Sequence, residues 1–500
     1  MREAGLPTAT SAGPFRTAPG AAPAAGTPSL APVRGIPGLP NTAATRRHRS
    51  VRPIFWYGAA AVVTAAVFGP YTAQAGVRTE QIAVYGLLLV GLVAGRRIRV
   101  TRLGALVLLL LITEFLIAAA GGSVPTGAPV TVESGSLLAG IDSLLMPIAV
   151  LTLTLLMASS GADPRRLLRI VCTVLVVAMC ANTVLSCLSV RFDLAPLLGI
   201  FWENHAGQES VAVRAAQLGR LSGIFNQPAE AGALYSVALL AAVYRYRDRT
   251  VPFVLATALL TIGGALTVSK IFLLIGLPLG LWQVVRSFGI ARPRVWALTA
   301  SVLLVVLAGQ YGLLPSWTGV DYLTRLLRPP GDGADLVGFY TAGRLGDTPT
   351  LQYVSEAVLG SSPWWGLGAG GVASAYDNGW IEALAVAGMV GVLLHTGILG
   401  CLVVAACTRR PGTDRAAARF AGCLVIVLVG GSLGLPMLTA NRVATVVWLL
   451  VGLLLFTPGA RAPAAGPEAG RDPHHAHRPG ALGTSTRKAS RRTKNVKVAP

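Results

Sequence analysis

The sequence predicts an all-α, polytopic membrane protein of about twelve transmembrane helices, with a large extracytoplasmic loop between late helices. Three observations predict it. Only 13% of residues are charged, 53% are hydrophobic and mean hydropathy is +0.62, whereas soluble domains carry about 25% charged residues. The apolar residues fall in long blocks, and a bilayer span needs about 20 of them. Arginines recur in alternate connections between the blocks, the bias that marks cytoplasmic loops.

Along the chain, residues 1–50 are rich in Ala, Pro, Gly and Thr and lack periodicity, so they are expected to be a disordered cytoplasmic leader. Arg46, Arg47, Arg49 and Arg52 mark its edge. No cleavable signal peptide is visible, and the first apolar block is expected to remain as an anchor. The polytopic domain covers 51–457. Its apolar blocks run at 54–74, 81–95, 103–120, 137–158, 168–190, 229–244, 251–268, 271–286, 295–314, 379–407, 418–436 and 440–457. The tenth is too long for one simple span, and its glycines predict a short interfacial helix, a bend near Gly388 and then the span. The connections after every second block hold Arg96–Arg102, Arg165–Arg169, Arg245–Arg249, Arg286–Arg294 and Arg409–Arg419. Twelve helices in the plasma membrane with both termini cytoplasmic fit every connection. Residues 458–500 form a polar, basic tail, expected to be disordered and cytoplasmic.

The net charge of +21 does not point to nucleic acid, because it sits in the tails and short loops and no basic stripe with interleaved aromatics appears. All six cysteines lie in apolar blocks without CxxC spacing, which argues against a disulfide framework or a zinc site. Neither a metal nor a cofactor is expected: the chain carries no Gly-rich phosphate loop, HExxH or nucleophile elbow. A nucleotide-sugar site would need a soluble domain, and none is visible. Any sugar donor is therefore expected to be lipid-borne and met from outside.

Two outer loops are long, 191–228 and 315–378, and loops of that length are usually functional. The second holds Trp317, Tyr322, Tyr340, Tyr353, Trp364 and Trp365 beside Asp332, Asp335, Asp347 and Glu356. Aromatics beside carboxylates suit sugar rings, and the alternative is an aromatic belt at the interface. Four places carry ionisable groups in or beside spans, where such groups are costly. Arg220 precedes Ser222-Gly223-Ile224-Phe225 and Glu230 at the outer end of the sixth block; it reads equally as a phosphate clamp or an interface anchor. Lys270 follows Ser269 in a tight outer turn, either a point charge for phosphate or a snorkelling lysine. Arg344 lies in the large loop. Asp377 and Asn378 precede Glu382 and the glycines Gly388 and Gly391, and either of the first two residues is a candidate helix cap. Glu114 and Asp142 lie inside spans, as candidates for a proton pathway or for pairing with an arginine. His205 reads as a surface residue.

In this order the four places resemble the O-antigen ligase/polymerase family. The family's Arg-x-x-Gly-x-Phe segment is matched by Arg220, Gly223 and Phe225, its Ser-Arg turn by Ser269-Lys270, its loop arginine by Arg344, and its Pro-x-x-Gly-x-Gly stretch by Pro363, Gly366 and Gly368. The ligase His-Asn, nine residues, Gly-x-x-Gly pattern is matched by Asp377-Asn378, Gly388 and Gly391. The resemblance covers roughly 215–400. It implies transfer of a glycan from undecaprenyl diphosphate to an acceptor hydroxyl, with Arg220, Lys270, Arg344 and Asp377 catalytic and Glu230, Asn378, Glu382, Trp364 and Trp365 binding substrate. Lys270 in place of arginine removes a bidentate clamp. Asp377 in place of histidine favours a polymerase over a ligase. The competing expectation is a transporter or lipid-linked-sugar flippase, which would place its binding groups near midplane on broken helices.

Overall fold

In a computed structural model of the chain, the described residues are 52–72, 77–93, 98–121, 137–160, 162–202, 210–289, 352–372, 376–408 and 414–457, with isolated positions between 296 and 323. The 1–50 leader, the 458–500 tail, His205 and most of the 315–378 loop, including Arg344, lie outside them.

The regular structure among the described residues is helical apart from a two-residue antiparallel ladder, Tyr71–Thr72 against Val77–Arg78. The long helices are α1 (Arg52–Phe68), α2 (Thr79–Val93), α3 (Arg102–Ala120), α4 (Leu137–Ser159), α5 (Pro164–Ser189), α6 (Pro228–Tyr246), α7 (Thr250–Leu266), α8 (Leu277–Phe288, entered through a wide π-type turn over Ile271–Gly276), α9 (Gln352–Ser361), α10 (Gly379–Cys407), α11 (Arg415–Gly431) and α12 (Asn441–Val451, extended by a π-type turn to Phe456). All but α9, which lies within the large loop, fall on apolar blocks of the sequence. The block at 295–314 lies largely outside the described residues, although Trp296, Thr299, Ala300, Leu303 and Leu307 are helical. The first block stops early: Gly69-Pro70 ends α1, and the short ladder follows.

Among the described residues five helical segments are long and apolar enough to cross a membrane: Arg102–Ala120, Gly140–Ser159, Pro164–Ser189, Ile271–Phe288 and Gly379–Cys407. These and neighbouring helices display apolar side chains outward, among them Leu393 on α10 and Leu89, Leu92 and Val93 on α2. In water such a surface would be an exposed hydrophobic patch; against lipid it is the expected face. Helix α6 is the opposite case. It is buried without interruption from Ala231 to Val243, packed by α5, α7, α8 and α11. Its small residues, Ala231, Gly232, Ala233 and Ser236, let those neighbours approach.

The arginine-bearing connections meet at one end of the bundle. Arg245 Nε donates to Thr173 Oγ1 at 2.8 Å, Arg419 donates to the Arg286 carbonyl at 2.8 Å, Arg247 lies 3.6 Å from Asp414, and the Arg99 N–H donates to Ser159 Oγ at 2.8 Å. The alternation read in the sequence is therefore a real partition of the molecule into an arginine-rich end and an opposite, arginine-poor one.

Candidate active site at the arginine-poor end

The Arg220 segment is held from three sides. The Leu221 N–H donates to the Leu266 carbonyl at the end of α7 (2.9 Å), and the Trp317 indole donates to the Gly219 carbonyl (2.6 Å). Asn182 of α5 brackets the segment: its Oδ1 accepts from the Ile224 N–H (3.0 Å), and its Nδ2 donates to the Ser222 carbonyl (3.2 Å) and to Tyr235 Oη (3.0 Å). This bracket explains the glycine of the Arg-x-x-Gly-x-Phe segment. Gly223 has φ +64, and a Cβ there would fall 2.2 Å from Asn182 Oδ1. Phe225 is fully buried. Glycine and phenylalanine thus build the segment that carries Arg220, whose side chain is half-buried.

Lys270 follows a strained turn. Val268 is β-branched yet has φ +43, and it is buried with Leu221, Leu266 and Trp317; such a residue in that region is an outlier that its surroundings must hold in place. Next to it, Ser269 packs so closely on Gly232 of α6 that a Cβ there would meet the serine side chain at 2.2 Å. The structure therefore brings the Arg220 and Lys270 backbones to one place through the 221–266 bond. Arg344 lies outside the described residues. Glu230, in the first turn of α6, lies within electrostatic reach of the buried Glu80, together with Arg78 and Arg442.

Helix α10 is a re-entrant hairpin. Ala387 and Gly388 leave helical geometry, Gly388 with φ +62. Beyond them the chain folds back. The Trp380 and His395 rings meet at 4.9 Å, and a Cβ on Gly391 would fall 2.2 Å from the Ala383 carbonyl oxygen. In a straight helix fifteen residues span about 22 Å, so these contacts require a reversal. The bend near Gly388 expected from the sequence is present. The first arm, however, is not a separate surface helix: it is buried from Gly379 to Gly388 except at Trp380 and Ile381. The strand of chain at 363–368 satisfies the backbone groups the reversal frees. Leu367 and Gly368 donate to the Ala385 (2.7 Å) and Val386 (3.0 Å) carbonyls, while Met389 and Val390 donate to the Pro363 (2.8 Å) and Trp364 (3.3 Å) carbonyls. The Pro363-x-x-Gly366-x-Gly368 and Gly388-x-x-Gly391 patterns are thus two halves of one joint. Broken backbone at membrane depth is tolerated where protein supplies such partners.

Asn378 is the cap of the first arm, accepting from the Trp380 (2.9 Å) and Ile381 (3.2 Å) N–H groups. Asp377 precedes it with φ +48 and is half-buried, so capping is assigned to its neighbour. Asn378 Nδ2 approaches the Leu433 carbonyl (3.4 Å), and the Gly379 N–H donates to the Ser432 carbonyl (2.8 Å). One residue on, Gly434 packs against Ile271, next to Lys270. The 432–440 connection therefore links the Asp377-Asn378 end of the hairpin to the Lys270 turn. Glu382 is 7% exposed and accepts a hydrogen bond from Thr439 of that connection. Trp364 and Trp365 are exposed (61% and 58%) and sit at the hairpin tip, on the segment beside Gly121 and Gly140, not on the Arg220 segment.

No protein-family model matches the chain, and no curated protein matches it.

Sequence reasoning missed two residues of this end. Arg442 is 2% exposed and donates to the carbonyls of Ile224 (3.0 Å), Gly69 (3.1 Å) and Phe201 (3.0 Å). It ties three connections to the start of α12. Its signal is an arginine inside an apolar block, where a charged side chain is costly. Asn182 lies within an apolar block, and a lone amide there points to a buried polar partner. Among the described residues Asp142 accepts from Gln81 and from Tyr85 Oη (2.8 Å).

Proposed function

We propose that this protein is a membrane glycosyltransferase of the polysaccharide-polymerase type, working at the outer face of the plasma membrane. In this reading twelve helices cross the bilayer, both termini and the arginine-rich end are cytoplasmic, and the arginine-poor end meets an undecaprenyl-diphosphate-linked glycan. The bond between the sugar's anomeric carbon and the diphosphate breaks, and a bond to an acceptor-glycan hydroxyl forms. Arg220, Lys270 and Arg344 take up the negative charge of the departing diphosphate, the kind of charge development that fixed cations stabilise best. Asp377, beside the Asn378 cap, receives the hydroxyl proton. Trp364 and Trp365 offer stacking faces to sugar units further along the chain, and Glu230, Asn378 and Glu382 shape the floor.

The observation that carries the reading is the backbone bond from Leu221 to Leu266. It joins a guanidinium-bearing and an ammonium-bearing segment at the arginine-poor end of the molecule. In cells lacking the protein, we expect lipid-linked single repeats to accumulate on the outer leaflet while long chains vanish. Accumulation on the cytoplasmic leaflet would replace this reading with transport. One observation favours that second reading: the re-entrant hairpin with buried acids resembles the broken helices on which transporters build midplane sites.

A further inference from the structure

A small cavity lies between the α10 hairpin and α3, about large enough for one water. Its polar lining is Glu114 of α3, Glu382 and His395 of the two hairpin arms, and Thr439; Leu111 and Leu144 are among the apolar remainder. Glu114, Glu382 and His395 are 6%, 7% and 5% exposed. Among the described residues His395 Nε2 has no hydrogen-bond partner and no lysine or arginine lines the cavity. The one nearby acid on α4, Asp142, is engaged instead by Gln81 and Tyr85.

Two carboxylates around one water-sized space, inside apolar helices and without a cation, are an unstable combination. Each ionised carboxylate so buried costs several kcal/mol after relaxation, about the scale on which a proton is retained instead. Like charges sharing a site add to that cost. The unpartnered imidazole nitrogen supplies what the pair lacks, a third polar group able to accept or donate through a shared water.

We propose that this cavity is a proton-binding site, in which one water is shared by Glu114, Glu382 and His395 and at least one proton stays on the carboxyl pair at neutral pH. The hairpin makes the site: without the reversal at Gly388, Glu382 and His395 would stand about 20 Å apart along one helix. Thr439 fixes Glu382 from the connection that also borders Lys270 and Asn378, so loss of the proton would be felt at the arginine-poor end. The inference does not depend on the glycosyltransferase reading.

The test is infrared difference spectroscopy on the full chain in lipid nanodiscs, recording the protonated-carboxyl stretch through a pH step. At neutral pH the wild type should show a buried carboxylic-acid band that shifts in heavy water and disappears as pH rises. Glu114→Gln and Glu382→Gln should each change the band, the double variant should lose it, and His395→Gln should move its midpoint. Carbodiimide labelling at neutral pH, read by peptide mass, should modify Glu114 or Glu382 in the wild type itself. Absence of both the band and the label in the wild type would overturn the proposal. So would a band unchanged in the double variant, or one that vanishes on adding sodium ions at fixed pH, which would assign the cavity to an alkali cation.

Discussion

The two ends of the bundle use charge in opposite ways. At the arginine-rich end many cations make few, exposed contacts; Arg247 and Asp414, at 3.6 Å, are both more than a third exposed. At the other end a few charged residues are buried: Arg442 donates to three carbonyls, Glu382 accepts from Thr439, and Glu80 lies 3.9 Å from Arg78. Numbers of charges therefore mark topology, whereas burial of charges marks the built site.

Breaking the buried side should cost most. Arg442→Ala leaves three carbonyl groups without their donor, each worth about 1–3 kcal/mol when buried. We expect it to lose the monodisperse folded state on size exclusion in mild detergent, with Arg442→Lys recovering part of it. A well-folded alanine variant would demote Arg442 from tie to bystander. Gly388→Ala should come next. It forces a left-handed residue into alanine and drives a Cβ within 2.5 Å of the Trp364 backbone. A loss of about 2 kcal/mol follows from backbone strain of this kind, read as a lower thermal midpoint in nanodiscs. At the arginine-rich end, Arg247→Ala should change stability by less than about 1 kcal/mol. Equal losses at the two ends would erase the contrast.

Most of the helices could be read from the sequence because apolar block length is a direct image of bilayer thickness, and the arginine alternation gave the partition of the ends. The bend at Gly388 could be read from excess length and glycine. The reversal could not. Folding back depends on long-range partners, the 363–368 segment and the Ala383–Gly391 contact, which no local pattern encodes. The same holds for the site. Arg220 and Lys270 stood out as cations in the wrong place, but Asn182, Arg442 and His395 sit inside apolar blocks and gain meaning only from what they touch. Glu114 and Glu382 were each visible as candidates, but their meeting across one cavity was not, because the two are far apart in the chain.

The central claim is that the half-buried cations Arg220 and Lys270 of the arginine-poor end serve chemistry and the exposed ones of the other end do not. The most direct measurement compares Lys270→Ala, Lys270→Arg and Arg165→Ala at equal membrane expression, by the length of surface glycan and the amount of lipid-linked single repeat. Removing an electrostatic stabiliser of a transition state commonly lowers rate by about 100-fold or more. The account predicts short or absent chains with accumulated single repeats for Lys270→Ala, recovery in Lys270→Arg, and wild-type chains in Arg165→Ala. Wild-type chain length in Lys270→Ala, or equal defects in Lys270→Ala and Arg165→Ala, would contradict it.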